Sequence, residues 1–337
     1  MVLYGIYGDV LATYLVTGGA GFIGSHFIKT VLKAEPGAVV VNLDKLTYSG
    51  NIANLKDFSE NARHVFIRGD ICDKKLVGEI FSNYDISCVV NFAAESHVDR
   101  SIEDSAPFIR TNVSGVHTLL EATMDNWNDF NGKLFIQIST DEVYGSLPDD
   151  VFADEAFPLS PGNPYSASKA AADLLALSYF NTYKLPVIIT RSCNNFGPHQ
   201  YPEKLIPLMI LNMMKNTKLP VYGDGMQIRE WIFADDHCSV LQYVAKNGIA
   251  GEIYNIGSGY SILNIDLVKK IIDTYNEITS KAIDDSIIEF VTDRKGHDRR
   301  YGLNCSKLGG VLGKTSKADF VRDLKKTVRW YLENYKT

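Results

Sequence analysis

The first half of the chain alternates short apolar runs with longer helical patterns, and this alternation restricts the fold more than any other feature. Strands are predicted at residues 14–17, 39–43, 64–67, 88–92, 134–138 and 187–190. Helices are predicted at about 22–33, 73–81, 106–125 and 164–183. Runs that are apolar throughout, not at every second residue, suit strands covered on both faces. Joined by helices, they read as βαβ crossovers in a doubly wound parallel α/β sheet.

Beyond Ser192 the pattern loosens. Pro198, Pro202, Pro207 and Pro220 interrupt it, and glycines gather at Gly223, Gly225, Gly257 and Gly259. Helical segments return at about 204–215, 235–246, 264–278 and 317–335. The expected division is a dinucleotide-binding sheet domain over 13–192, with some later segments returning to it. A smaller mixed α/β lobe for substrate covers 193–337, and residues 1–12 form an extension without an assigned role.

With 45% hydrophobic residues among 337, the chain can bury a core, which excludes disorder as its main state. A net charge of −6 without a Lys/Arg cluster argues against a nucleic-acid partner. No apolar run reaches the roughly 18 residues of a membrane span, and the N-terminus lacks a basic secretory n-region. The five cysteines are scattered without a C-x-x-C, as expected of reduced thiols in a cytoplasmic protein. The histidines lack ligand spacing, so no metal site is expected.

The segment VTGGAGFIG at 16–24 follows the first strand and opens the first helix, with Gly18, Gly21 and Gly24 spaced G-x-x-G-x-x-G. Glycine permits the tight turn and the close approach of a pyrophosphate, which the helix N-terminus then attracts. Asp44 ends the second strand, 20 residues past Gly24, where it can bind the adenosine ribose diol and repel a 2′-phosphate. This favours NAD over NADP, although Lys45 beside it could accept a phosphate. Asp70, after the third strand, can reach the adenine. Together these features specify a Rossmann dinucleotide site.

Two further motifs carry chemistry. YSASK at 165–169 places Tyr165 and Lys169 one helical turn apart on one face. The ammonium is expected to lower the phenol's pKa, so that Tyr165 can act as a base. STDEVYG at 139–145 closes the strand at 134–138, at the sheet end where α/β sites form. Thr140 offers a hydroxyl, while Asp141 and Glu142 are neighbouring carboxyls that one pocket can drive to different protonation states.

The glycine pattern, the Ser/Thr after that strand and Y-x-x-x-K together resemble the extended short-chain dehydrogenase/reductase family. Within it, Thr140-Asp141-Glu142 is similar to the signature of the nucleotide-sugar 4,6-dehydratases. Further matching segments are DKLTY at 44–48, AAESHVDRS at 93–101, Asn194-Asn195, PEKLIP at 202–207, QIR at 227–229, YNIG at 254–257 and DRKGHDRRY at 293–301. The resemblance implies NAD as cofactor and an internal redox cycle on a nucleotide sugar. C4 is oxidised, water is lost across C5 and C6, and C6 is reduced, giving a 4-keto-6-deoxy sugar. Tyr165, helped by Thr140, takes the C4 hydroxyl proton; Glu142 removes the C5 proton; Asp141 protonates the leaving C6 hydroxyl.

The resemblance also implies that Phe22, Ile23, Lys45, Leu46, Thr47, Ile71, Ala93, Ala94, Thr111, Lys169 and Asn195 join Gly18, Gly21, Gly24, Asp44 and Asp70 around NAD. Arg229 and Lys204 are expected on the substrate diphosphate. Ser96, Asn194, Leu205, Pro220, Tyr222, Asn264, Asp293 and His297 complete the sugar and base pocket. dTDP-glucose is the favoured substrate, with UDP-glucose as the near alternative. A nucleotide-sugar 4-epimerase remains a rival that needs no Asp141–Glu142 pair, and a non-catalytic NAD-sensing scaffold is another. A homodimer through the 106–125 and 164–183 helices is also implied.

Overall fold

A computed structural model describes residues 12–312 and 319–335. Seven strands form one parallel sheet: β1 (Thr13–Thr17), β2 (Val39–Asp44), β3 (His64–Arg68), β4 (Cys88–Asn91), β5 (Leu134–Thr140), β6 (Val187–Ser192) and β10 (Ile253–Ile256). Their order is β10-β6-β5-β4-β1-β2-β3. Adjacent residues on each strand feed opposite faces. Val16, Val40, Val90 and Ile136 enter one core cluster; Leu15, Val41, Val89 and Phe135 enter the other. Helices α1 (Phe22–Ala34) and α8 (Ala234–Asn247) cover the first face, and α2 (Lys74–Asn83), α5 (Val116–Asn126) and α6 (Pro164–Tyr183) cover the second. This double covering explains why the strands are apolar along their whole length.

The chain leaves β1 toward β2 on one side and later places β4 on the other. The strand order therefore reverses beside β1, opening a crevice at the carboxyl ends of the strands. A short helix α3 (Val98–Glu103) and a three-residue helix α4 (Ala106–Phe108) follow β4. The predicted 106–125 helix is broken in character: α4 runs into a π-helical stretch, Ile109–Gly115, before α5 resumes. Helix α6 begins where Asn163 and Ser166 form a reciprocal capping box with Pro164 in the first turn.

The lobe is built from β7 (Asn194–Phe196), β9 (Ile228–Phe233) and β11 (Ser261–Leu263), with a second pairing of β8 (Leu219–Tyr222) and β12 (Ile288–Val291). Helices α7 (Leu205–Met214), α9 (Asn264–Thr279) and α11 (Phe320–Asn334) enclose its core around Phe196, Trp231 and Phe233. Helix α10 (Ser306–Leu312) returns to the large sheet, where Lys307 Nζ donates to the Glu252 carboxylate at 2.6 Å and the Ile253 carbonyl at 2.7 Å. The five lobe strands were not predicted: each has three to six residues and depends on its neighbour for pairing. Residues 1–11 and the predicted helical start at 317–318 lie outside the described residues.

Candidate active site

One cavity of about 520 Å³ runs from the glycine turn, across the ends of β4, β5 and β6, to the lobe. At its first end Gly18 has φ +69°, and a Cβ there would stand 2.7 Å from the Ala93 backbone nitrogen. A Cβ on Gly24 would stand 2.3 Å from the Gly18 carbonyl oxygen. Gly21 caps α1 without a side-chain hydrogen bond, so the opening N–H groups of the helix face the cavity. This cradle fits a dinucleotide's pyrophosphate.

Asp44 closes the same end. Its carboxylate accepts from Ala20 N at 2.8 Å and Leu46 N at 2.7 Å, which fixes its orientation. Burial raises its pKa against these backbone donors. Lys45 Nζ lies 2.8 Å from Asp70. Burial alone would push the Asp70 carboxyl up, but Lys45 and the Cys72 N–H together hold it below its usual range. Lys45 therefore neutralises an acid here and is not a free phosphate receptor. Thr47, Phe22, Ile23, Ile71, Ala93, Ala94, Thr111 and Asn195 also line this part of the cavity. Leu46 does not: its backbone serves Asp44 while its side chain packs against the core.

The reacting centre lies at the end of β5. Thr140 caps the 3-10 turn Asp141–Tyr144, its hydroxyl accepting from Glu142 N at 3.3 Å. Tyr165 is set by two neighbours. Its N–H donates to Ser101 Oγ at 3.2 Å, and its ring meets the edge of Phe108 at 6.4 Å. Lys169 Nζ donates to the Ile138 carbonyl at 2.5 Å. Thr140, Glu142, Tyr165 and Lys169 all reach the cavity wall.

Asp141 is placed differently. Its carboxyl is 2% exposed, lies off the cavity wall, and meets the Thr140 hydroxyl at 3.2 Å. Successive residues on a tight 3-10 turn point apart, so adjacency in sequence does not put both carboxyls on one wall. Burial, then the charges of Glu142 and Glu230, drive the Asp141 pKa well above the carboxylate range. Burial also raises Glu142, but Arg229, Lys204 and Arg294 oppose it. Both carboxyls are thus raised, Asp141 further than Glu142, which has cations beside it.

The expected lowering of the Tyr165 pKa is not what this geometry gives. Burial, and after it the charges of Glu142 and Asp141, push the phenol well above 10. Lys169 itself is brought down to about 8 by burial, with Asp173 opposing.

At the lobe end stand Ser96, Asn194, Lys204, Leu205, Pro220, Tyr222, Arg229, Asn264 and His297. Lys204 Nζ donates to the Ser96 carbonyl at 3.1 Å; burial lowers its pKa, while Glu203 and Glu142 favour the ammonium. Arg229 stacks on the Tyr301 ring at 4.2 Å and donates to the Ile228 and Asp298 carbonyls. Asp293 is exposed and off the cavity wall, and its carboxylate, 2.6 Å from the His297 ring, orients that imidazole. Sequence reasoning missed Tyr48, Asp99, Glu203, Arg294 and Tyr301, all on the wall. Each lay inside or beside a matching segment, and the folding of distant loops against one another brings them in. Arg294 and Asp99 form a side-on ion pair across the mouth, Nε to Oδ1 2.9 Å and Nη2 to Oδ2 3.4 Å.

A nucleotide-sized cavity with an acid–base turn, a Tyr–Lys helix face and a cationic far end defines a dehydratase-type short-chain site. The family profile described as GDP-mannose 4,6 dehydratase matches residues 15–327, and the chain belongs to that family. It is 46% identical over 332 residues to the dTDP-glucose 4,6-dehydratase of Neisseria gonorrhoeae, covering 95% of both chains. Among solved structures, it matches DesIV, a dTDP-glucose 4,6-dehydratase from Streptomyces venezuelae with NAD and TYD bound. That match has a TM-score of 0.89 and 46% identity, covering 96% of this chain and 97% of the other. The UDP-glucose 4-epimerase of Thermotoga maritima shares the architecture at a TM-score of 0.85 but only 28% identity, with coverage of 96% and 100%.

Proposed function

We propose that this chain is a hydro-lyase that dehydrates dTDP-glucose to dTDP-4-keto-6-deoxyglucose, with NAD held against the glycine turn. One observation carries this reading: a single cavity joins the Gly18–Gly24 cradle, the Thr140–Glu142 turn, the Tyr165–Lys169 face and the Lys204–Arg229 end. The identity to dTDP-glucose 4,6-dehydratases, well above that to epimerases, supports the same reading. NAD, when bound, would supply oxidation at the sugar C4, reduction at C6 and a positive charge.

The chain's own residues manage protons and position. Asp44 takes the adenosine ribose diol, and the opening N–H groups of α1 take the pyrophosphate. Tyr165 would receive the C4 hydroxyl proton as phenolate, a form that its burial opposes and that the positive charge of bound NAD would favour, with the Thr140 hydroxyl sharing the hydrogen bond. The 4-ketone acidifies C5–H, and Glu142 accepts that proton and returns it to C5 when C6 is reduced. The C6–O bond breaks as the oxygen gains a proton from Asp141, whose raised pKa favours the protonated form and whose link to the cavity runs through Thr140. One water leaves. Lys204 and Arg229 face the substrate diphosphate.

The protein is further proposed to act in the cytoplasm as a homodimer through the 106–125 segment and α6. Ile109, Leu174 and Tyr183 leave large apolar side chains exposed on that side. Light scattering of the purified protein tests this, and a monomer at micromolar concentration overturns it. For the activity, the protein is incubated separately with dTDP-glucose and UDP-glucose. The 4-keto-6-deoxy product from dTDP-glucose is expected. Product from UDP-glucose alone overturns the base assignment, and a C4 epimer in place of the deoxy sugar overturns the reaction.

A further inference from the structure

A buried charge pair lies directly behind the reacting centre. Arg191, on β6, donates Nε–H to Asp173 at 2.9 Å, with side chains 2% and 0% exposed. Asp173 follows Lys169 by one turn of α6, on the same buried face. Arg191 also donates to the Tyr144 hydroxyl at 3.0 Å and lies over its ring at 4.9 Å. The Tyr144 hydroxyl in turn donates a hydrogen bond to Asn255 Oδ1 at 2.8 Å. Tyr144 is the last residue of the turn that begins with Asp141. The pair thus touches the supports of both chemical motifs.

An ion pair this deep is weak evidence of stabilisation, since desolvation offsets most of its attraction. Its position suggests another use. Lys169 is a buried ammonium whose hydrogen-bonded partner, the Ile138 carbonyl, is uncharged. Tyr165 and Asp173 lie one turn to either side of it on α6, Arg191 on β6 pairs with Asp173, and Glu142 and Glu95 line the same cavity. Asp173 is the anion that acts on it.

We propose that Asp173 is a positioning residue that supplies the counter-charge for the Lys169 ammonium, while its partner Arg191 clamps the Asp141–Tyr144 turn through the Tyr144 hydroxyl. One pair then ties the charge of the Tyr–Lys face to the placement of the acid–base turn. The proposal rests on the reading of Lys169 as the cation beside Tyr165 and NAD. Wild-type turnover tests that reading, whereas the experiment below tests Asp173.

The experiment follows the Lys169 ammonium by carbon-13 NMR of lysine labelled at Cε, assigned with Lys169→Met, and records kcat against pH in parallel. Wild type is expected to titrate at about 8. Removing the carboxylate removes the influence that favours the ammonium, so the midpoint falls. In Asp173→Asn it falls by at least about one unit, because Arg191 keeps its charge. Asp173→Asn with Arg191→Met leaves no lone buried charge; it is expected to fold and to titrate between the two. The alkaline limb of kcat moves down with each midpoint, and Asp173→Glu restores both. A merely structural role lowers activity at every pH without moving the midpoint. A folded double variant that still titrates at about 8 overturns the proposal.

Discussion

The two ends of the cavity are built on opposite principles. At the glycine turn the wall is backbone: a left-handed Gly18, the open start of α1 and strand ends that converge because the sheet is parallel. At the lobe end the wall is side chains, with Lys204, Arg229, Arg294 and His297 drawn from three separate segments. The first end should fail by sterics, when any side chain intrudes. The second should fail by charge, gradually, one contact at a time.

The largest expected effect lies at the seam. Glu142→Gln keeps the shape and removes the base, so kcat should drop by roughly 10²–10⁴-fold while NAD still binds. Rapid-quench product analysis with fluorescence titration of NAD checks both halves, and unchanged turnover removes Glu142 from its role. Next is Gly18→Ala, where both the φ of +69° and the 2.7 Å approach to Ala93 oppose a methyl group. Roughly 1–3 kcal/mol of strain is expected, seen as weaker NAD binding and a lower urea midpoint. A variant with wild-type affinity breaks the steric account of that end.

Lys204→Met should act more mildly, raising KM for the nucleotide sugar roughly 10- to 100-fold while leaving NAD affinity alone. It also removes a positive neighbour of Glu142, whose carboxyl already lies above its ordinary range. The base must be ionised to work. A further rise therefore moves the acid limb of kcat to higher pH, and a limb that moves down contradicts the assignment. Smallest is Lys29→Ala, which breaks an exposed pair with Asp57 outside both ends. Its effect on stability should stay below about 1 kcal/mol by chemical denaturation.

The same contrast explains what the sequence disclosed. The glycine turn, Asp44 and the Tyr165–Lys169 face are local: a strand, a turn and a helix carry them within a few residues. The seven-stranded sheet was legible for the same reason, except β10, which the pattern alone does not assign to it. Asp99 with Arg294, and Glu142 with Tyr301, meet only after the lobe closes on the sheet. The orientation of Asp141 was hidden at the finest scale, because a single 3-10 step turns its carboxyl away from the wall that Glu142 reaches. The phenol's raised pKa depended on that burial and could not be read from four-residue spacing.

The π-helical stretch Ile109–Gly115 binds these scales together. Thr111 lines the cavity from it, while Asn112 accepts from Glu95 N at 2.8 Å and donates to Ser168 Oγ at 2.8 Å. Each residue of a helix advances it by about 100°. Deleting one residue from this stretch would therefore spin Val116, Leu119 and Leu120 away from the interior and strip the Glu95 loop of its brace in the same stroke. A wider coil here works as a spacer, letting one rod keep phase with the core at its far end and with the reaction chamber at its near end.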